Sequence, residues 1–243
     1  MSASRAALTR EDLRVKISVQ KVRLDGVEHR VISPAGPLRN GALYHRSDNY
    51  DMFVDRSDGR RIGTLWLLAA RSPHTLVHLP MRATADEEPP GGGWRDEKPV
   101  DLVLAHRAVQ FRPSRWKRLR ERLRAANAPR ELRTASVPGT DLPERVPPED
   151  RDPVHISDSA GEDVLHQHRF AETLFLTGTT TALREGAKEF FEVTREGPPH
   201  AATQLQISGA CNYHVCRGLY YWNDLHDHGW DDFHLEYCPT WKR

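Results

Sequence analysis

The sequence predicts an α+β chain made of two tandem antiparallel-sheet domains, each covered by one main amphipathic helix. Three observations support this. Short runs of alternating apolar and polar residues recur through the N-terminal part. Two later segments, 114–127 and 179–197, carry apolar residues at helical spacing. Residues 137–153 hold five prolines among 17 residues and many charges, which excludes an interior helix or a central strand there. The expected organisation is an N-terminal α+β domain over 1–136, a proline-rich linker over 137–153, and a C-terminal α+β domain over 154–243.

Each element has a local reason. In LRVKISVQKVRL (13–24), Leu13, Val15, Ile17 and Val19 share one parity and Arg14, Lys16 and Ser18 the other, which is the signature of a half-buried strand. GVEHRVIS (26–33) returns from it through a turn at Asp25-Gly26. ALYHR (42–46) and YDMFVDR (50–56) flank Ser47-Asp48-Asn49 as a further strand pair. DRSDGRR (55–61) reads as a hairpin turn into a strand IGTLWLLAA (62–70), followed by TLVHLPM (75–81). Residues 83–99 are rich in Pro, Gly and acid and read as a long surface loop, which contains Trp94. VDLVLAHRAV (100–109) is the next strand, and Pro113 opens the helix SRWKRLRERLRAAN with Trp116, Leu119 and Leu123 as its apolar stripe.

After the linker, FAETLFLTG (170–178) reads as a strand. A Thr-capped helix follows over 179–197, with Leu183, Ala187, Phe190 and Thr194 on one face and a stop at Gly197-Pro198-Pro199. Strands are expected at 201–207, 218–224 and 231–238. Both halves then run strand, loop, amphipathic helix, strands, with the 114–127 and 179–197 helices in equivalent places. That is a pseudo-repeat of topology, not of sequence.

Bulk composition narrows the function classes. Hydrophobic residues are 38 % and charged residues 28 % of the 243, a polar globular composition in which apolar residues cluster into runs. No run approaches the ~18–20 apolar residues of a membrane helix, and the first residues lack a signal-peptide core, so a cytoplasmic protein is expected. Three cysteines, an odd number, fit a reducing compartment. A net charge of +1 gives no global pull toward nucleic acid or membrane.

Three constellations could carry chemistry. The stretch CNYHVCRGLYYWNDLHDHGWDDFHLEYC (211–238) holds every cysteine of the chain and four histidines. Cys211 with His214 or Cys216 offers a first pair of zinc ligands, and His226, His228 or Cys238 a second. The same pattern also describes an ordinary hairpin: Phe233, Leu235 and Tyr237 turn to the core, Asp232, His234, Glu236 and Cys238 turn away, and HDHGW is the tip. The basic helix has seven basic residues between Arg112 and Arg124 against Glu121 alone. Through Arg115, Arg118 and Arg122 it could meet a phosphate backbone or an acidic protein, or be a solvated face. LTGTTT (176–181) could receive an anion at a helix start, or simply cap the helix.

The third constellation is GEDVLHQHRFAETLFLTG (161–178). A glycine, a His-x-His pair, a glutamate and a second glycine in this order resemble the first motif of the cupin family. The resemblance implies a metal held by His166, His168 and Glu172 on one strand face, with a later histidine, His200 or His214, completing the set. The alternative is a solvated pair of histidines near a linker.

No Walker loop, GxGxxG turn, GxSxG elbow or HExxH helix occurs. The leading expectation is therefore a non-catalytic cytoplasmic binding protein that holds a protein or small ligand at the junction of its halves. Arg115, Arg118, Arg122, Trp94 and Trp230 are its candidate contact residues. A metal-dependent enzyme using the His/Glu or the Cys/His/Asp residues, with a divalent metal as cofactor, is the second expectation. Binding of a nucleic-acid backbone by the basic helix is the third.

Overall fold

A computed structural model describes residues 8–46, 49–86, 98–125, 128–142, 163–203, 212–222 and 230–239. The strands are β1 (Arg14–Leu24), β2 (Val27–Pro34), β3 (Gly41–Arg46), β4 (Asn49–Val54), β5 (Thr75–Leu79), β6 (Lys98–Pro99), β7 (Asp101–His106), β8 (Glu131–Ser136), β9 (His166–Phe170), β10 (Thr173–Gly178), β11 (His214–Tyr220) and β12 (Trp230–Tyr237). The helices are α1 (Arg56–Arg71), α2 (Trp116–Arg124) and α3 (Thr180–Thr203). Among the described residues all twelve strands join one mixed sheet, in the order β6-β3-β4-β12-β11-β9-β10-β7-β5-β2-β1-β8. The α+β class holds. The tandem division into two antiparallel sheets is not how the strands are arranged. The four C-terminal strands lie between β4 and β7, and the two halves meet through parallel pairs, β4 with β12 and β7 with β10.

These two parallel pairs reveal a repeat. Leaving aside the two-residue β6 between β5 and β7, β3-β4-α1-β5-β7 and β9-β10-α3-β11-β12 have the same order of elements. The strand that leads into each helix pairs in parallel with the last strand of the other unit: Asn49–Val54 against Asp232–Tyr237, and Thr173–Gly178 against Asp101–His106. The counterpart of α3 is thus α1, not α2. The expected strand over 62–70 is the body of α1. Asp55 caps it by accepting from the Asp58 amide, and Ile62, Leu65, Trp66 and Ala69 are all buried at i, i+3, i+4 and i+7. A continuous apolar run satisfies strand and helix periods alike, which is why the pattern misled.

Other boundaries also moved. β9 and β10 form a hairpin across Ala171 and Glu172, both at positive φ (48° and 58°), where one strand was expected. α3 continues through Pro198 and Pro199 to Thr203, so 201–203 are helical, not the start of a strand; 204–207 lie outside the described residues. β11 begins at His214, four residues before the expected strand. β8 had no sequence signal because its side chains are mostly exposed at the sheet edge. The start of the presumed linker is packed down: Val137 is buried, and the Asp141 carboxylate is 6 % exposed and bonds Arg71 of α1 (2.6 Å) and Arg184 of α3 (2.8 Å).

α1 and α3 run antiparallel over one sheet face and form the main core with its strands. Their crossing is close because glycines replace side chains there. A Cβ at Gly63 would lie 2.9 Å from the Phe191 ring; one at Gly59 would meet Thr194, and one at Gly186 would overlap the Trp66 ring. α2 covers the opposite face over β1, β2, β5, β7 and β10, where Trp116, Leu119 and Leu123 pack on Val22, Leu76, Val103 and Phe175. The buried Trp116 indole donates to Thr173 Oγ1 (3.1 Å), so its one polar atom is satisfied.

Gly186→Ala drives a methyl group into Trp66 and costs about 1–3 kcal/mol by overpacking. Gly36→Ala, where no atom lies within 4 Å of the added carbon, is the control. Urea denaturation of both variants checks this, and equal midpoints would remove the crossing as a packing constraint.

Candidate functional site

The halves of the chain meet at the parallel pair β7–β10, and a cleft of about 610 Å³ opens beside it on the α2 side of the sheet. Its floor carries Ala105 of β7 and Thr177 of β10. One wall is the end of β7 and the segment after it, with His106, Arg107 and Phe111; the other holds His168 of β9 and Trp222. The volume lies in the range of small-ligand sites.

Each wall is braced. Trp222, 53 % exposed, stacks on the His166 ring with centroids 3.9 Å apart and planes 10° from parallel. Phe111 stacks on Phe175 (6.1 Å) and meets His29 edge-on (5.4 Å). Gln110 takes a left-handed backbone (φ 48°) that turns the chain between His106 and Phe111. His106 Nδ1 accepts from the Ala108 amide (3.1 Å), which puts its ring proton on Nε2, 3.3 Å from Thr180 Oγ1. Thr180 in turn bonds the Ala70 carbonyl (3.2 Å). The end of β7, the first residue of α3 and the last turn of α1 are thereby held together by a neutral imidazole. Burial, with Arg107 and His74 nearby, lowers the His106 pKa, and burial also lowers that of His166.

The cupin-like set is not assembled. His166 and His168 share a face of β9, but the two-residue turn places Glu172 outside that strand, where it pairs with Arg82. His200 sits in α3, edge-on to Tyr213 (5.9 Å). Thr179 accepts from the Ala182 amide (3.1 Å) and caps α3, as the plainer reading of LTGTTT expected.

The Cys/His-rich stretch is partly brought together. Cross-strand register puts Cys216 of β11 opposite His234 of β12, and His214 opposite Glu236. One ligand atom from each of His214, Cys216 and His234 falls within 4.8 Å of the other two. Cys238 is buried apart from them, with Ala42, Tyr44 and Phe53. Cys211, His226, His228 and Trp94 lie outside the described residues, as does the side chain of Trp230. His234 was not among the expected ligands, nor was Asp51, which lies opposite His234 on β4. Only strand register could have joined them. Burial raises the Asp51 pKa, while His234 and Arg46 oppose the rise.

The basic helix is partly neutralised by its own chain. Arg118 makes two bonds to the Asp25 carboxylate (3.1 and 2.7 Å), and Arg115 lies 3.9 Å from it. Arg122 adds its charge at the same carboxylate, and the Arg118 bonds hold the Asp25 pKa below its usual value. No protein-family model, curated protein or solved structure gives a significant match to the chain.

The His106 brace has a testable pH signature. Its folded pKa is depressed, so folding favours the neutral ring. The contribution is full above the unfolded value of about 6.5 and is lost as pH falls through the lowered folded value. His106→Gln removes the titration. Between pH 7.5 and 5.5 the urea midpoint of the parent chain falls more than that of the variant; equal falls would show that the ring does not titrate with folding.

Proposed function

We propose that the protein is a non-catalytic cytoplasmic binding protein, and that the cleft where its halves meet takes a small flat molecule bearing an acidic group. The observation that carries this reading is the pairing of two braced aromatic surfaces, Trp222 on His166 and Phe111 on Phe175, with Arg107 and His168 at the same opening. A planar ligand gains stacking contacts on such walls, and guanidinium and imidazole groups meet its charge. A half-exposed tryptophan held parallel to a second ring offers a preformed surface, so little ordering entropy opposes binding. Complete catalytic signatures are missing from the sequence, which favours binding over turnover. The odd cysteine count fits a reducing compartment. The nucleic-acid reading is weaker, because Arg115 and Arg118 already face Asp25.

Anilinonaphthalene sulfonate, a flat fluorescent anion, serves as the probe. Saturable one-to-one binding is expected. Trp222→Ala lowers its affinity by about tenfold, the scale of one aromatic contact, with an unchanged melting temperature. Arg107→Ala weakens it too and flattens its salt dependence. Binding that is indifferent to both substitutions would sink the assignment.

A further inference from the structure

On the same side of the sheet, away from α2, β11 and β12 present His214, Cys216 and His234, and the chemistry of these three goes beyond a ligand cleft. We propose that they form a zinc-binding site, with Cys216 Sγ, His234 Nδ1 and His214 Nε2 as the ligating atoms.

In each histidine one ring nitrogen faces an oxygen acceptor and the other faces the cluster. His214 Nδ1 lies 3.0 Å from the Asn212 carbonyl, which can only accept, so Nδ1 carries the proton and Nε2 keeps its lone pair. His234 Nε2 lies 3.6 Å from a carboxylate oxygen of Glu236, beyond hydrogen-bond length but close enough for the negative charge to favour the proton on Nε2 and leave the lone pair on Nδ1. That lone pair points at Cys216 Sγ, 3.2 Å away. Both histidines thus have their second nitrogen turned to a carbonyl or a carboxylate, the arrangement that orients ligating imidazoles in metal centres. Glu236 is itself fixed, since its other oxygen accepts from the Asn212 amide (2.8 Å).

The spacing also suits zinc. Zn–S and Zn–N bonds of about 2.3 and 2.0–2.1 Å at a tetrahedral angle separate the two ligand atoms by about 3.5 Å. The Cys216–His234 distance of 3.2 Å is close to that. The His214 and His234 ring centroids stand 4.5 Å apart, and one ligand atom from each of the three residues falls within 4.8 Å of the other two. One thiolate and two imidazoles form a borderline-soft donor set that selects zinc over magnesium or calcium. Binding exchanges the Cys216 thiol proton, now between Sγ and Nδ1, for the metal; that proton goes to solvent and no redox change occurs. Register makes the site: paired antiparallel strands bring Cys216 and His234 face to face, and His214 follows two residues along the same face of β11.

The test uses the full chain, stripped with chelator under a reductant and titrated with zinc against a chromophoric competitor. One equivalent is expected, lost in Cys216→Ser and in His234→Ala and retained in His200→Ala. Glu236→Gln weakens binding by about 10–100-fold, the usual effect of an outer-shell partner. Cobalt(II) in place of zinc should give a thiolate charge-transfer absorption that disappears in Cys216→Ser, a readout that loss of folding alone does not mimic when circular dichroism is unchanged. Zinc should also slow alkylation of Cys216 by iodoacetamide, measured at that peptide. No bound zinc, or zinc retained by Cys216→Ser, overturns the proposal. Rapid alkylation of Cys216 that zinc does not slow would overturn it in favour of a reactive thiolate–imidazolium pair.

Discussion

The close crossing of α1 on α3 is the constraint on which the rest of the structure depends. Gly59 and Gly63 on one helix and Gly186 on the other let the backbones approach until Trp66, Phe190 and Phe191 fill the space between. A glycine inside a helix costs about 1 kcal/mol relative to alanine, so three at one crossing are destabilising unless the approach they permit buries more apolar surface. The first residue of each helix also bonds a carbonyl of the other: Arg56 reaches Thr194 (3.3 Å) and Thr180 reaches Ala70 (3.2 Å). Once the helices are antiparallel in this register, the strands beside them share one sheet, and the pairs β4–β12 and β7–β10 follow.

Three buried carboxylates inside this frame each have charged partners. Asp58, 1 % exposed, accepts from the amides of Arg39 and Asn40 and from Arg61, and so ties the start of α1 to the chain before β3. Asp141 does the same at the other end of α1, between Arg71 and Arg184. Glu189 on α3 meets Arg217 of β11 at 2.7 Å, yet burial, with Glu192 and Glu185 nearby, lifts its pKa to about 7. Removing one partner from such buried pairs leaves an uncompensated charge, which makes them register devices more than sources of net stability.

The candidate sites follow from the same architecture. The cleft exists because strands from the two halves meet in parallel and their connections diverge at the ends of β7 and β10, the place where open α/β sheets commonly form crevices. The Cys/His cluster exists because β11 and β12 pair with Cys216 opposite His234 on a part of the α2-bearing face that α2 itself does not cover. Several of its residues were legible in advance: His214 and Cys216 stood out by type and proximity. His234 read as one polar position on a half-exposed strand, and Asp51 lies far from it in sequence. His166 and His168 were noticed for the wrong partner. The left-handed turn at Ala171 and Glu172 gives them Trp222 and the cleft instead of a carboxylate.

By itself, the sequence determined the local elements whose signals are unambiguous. β1 and β2 follow from alternation and the Asp25-Gly26 turn, α2 from its Trp116, Leu119 and Leu123 stripe, and most of α3 from its apolar face and Thr179 cap. These depend on interactions over a few residues. Tertiary structure alone decided that 62–70 is helical, that the C-terminal strands enter between N-terminal ones, and which histidine meets which thiol. The reason is physical. An apolar run such as IGTLWLLAA is compatible with a buried strand or a buried helix until a partner surface is present, and here the partner is α3, more than a hundred residues away. Register between distant strands is likewise invisible to any local pattern, because it is set by the faces that the helices must cover.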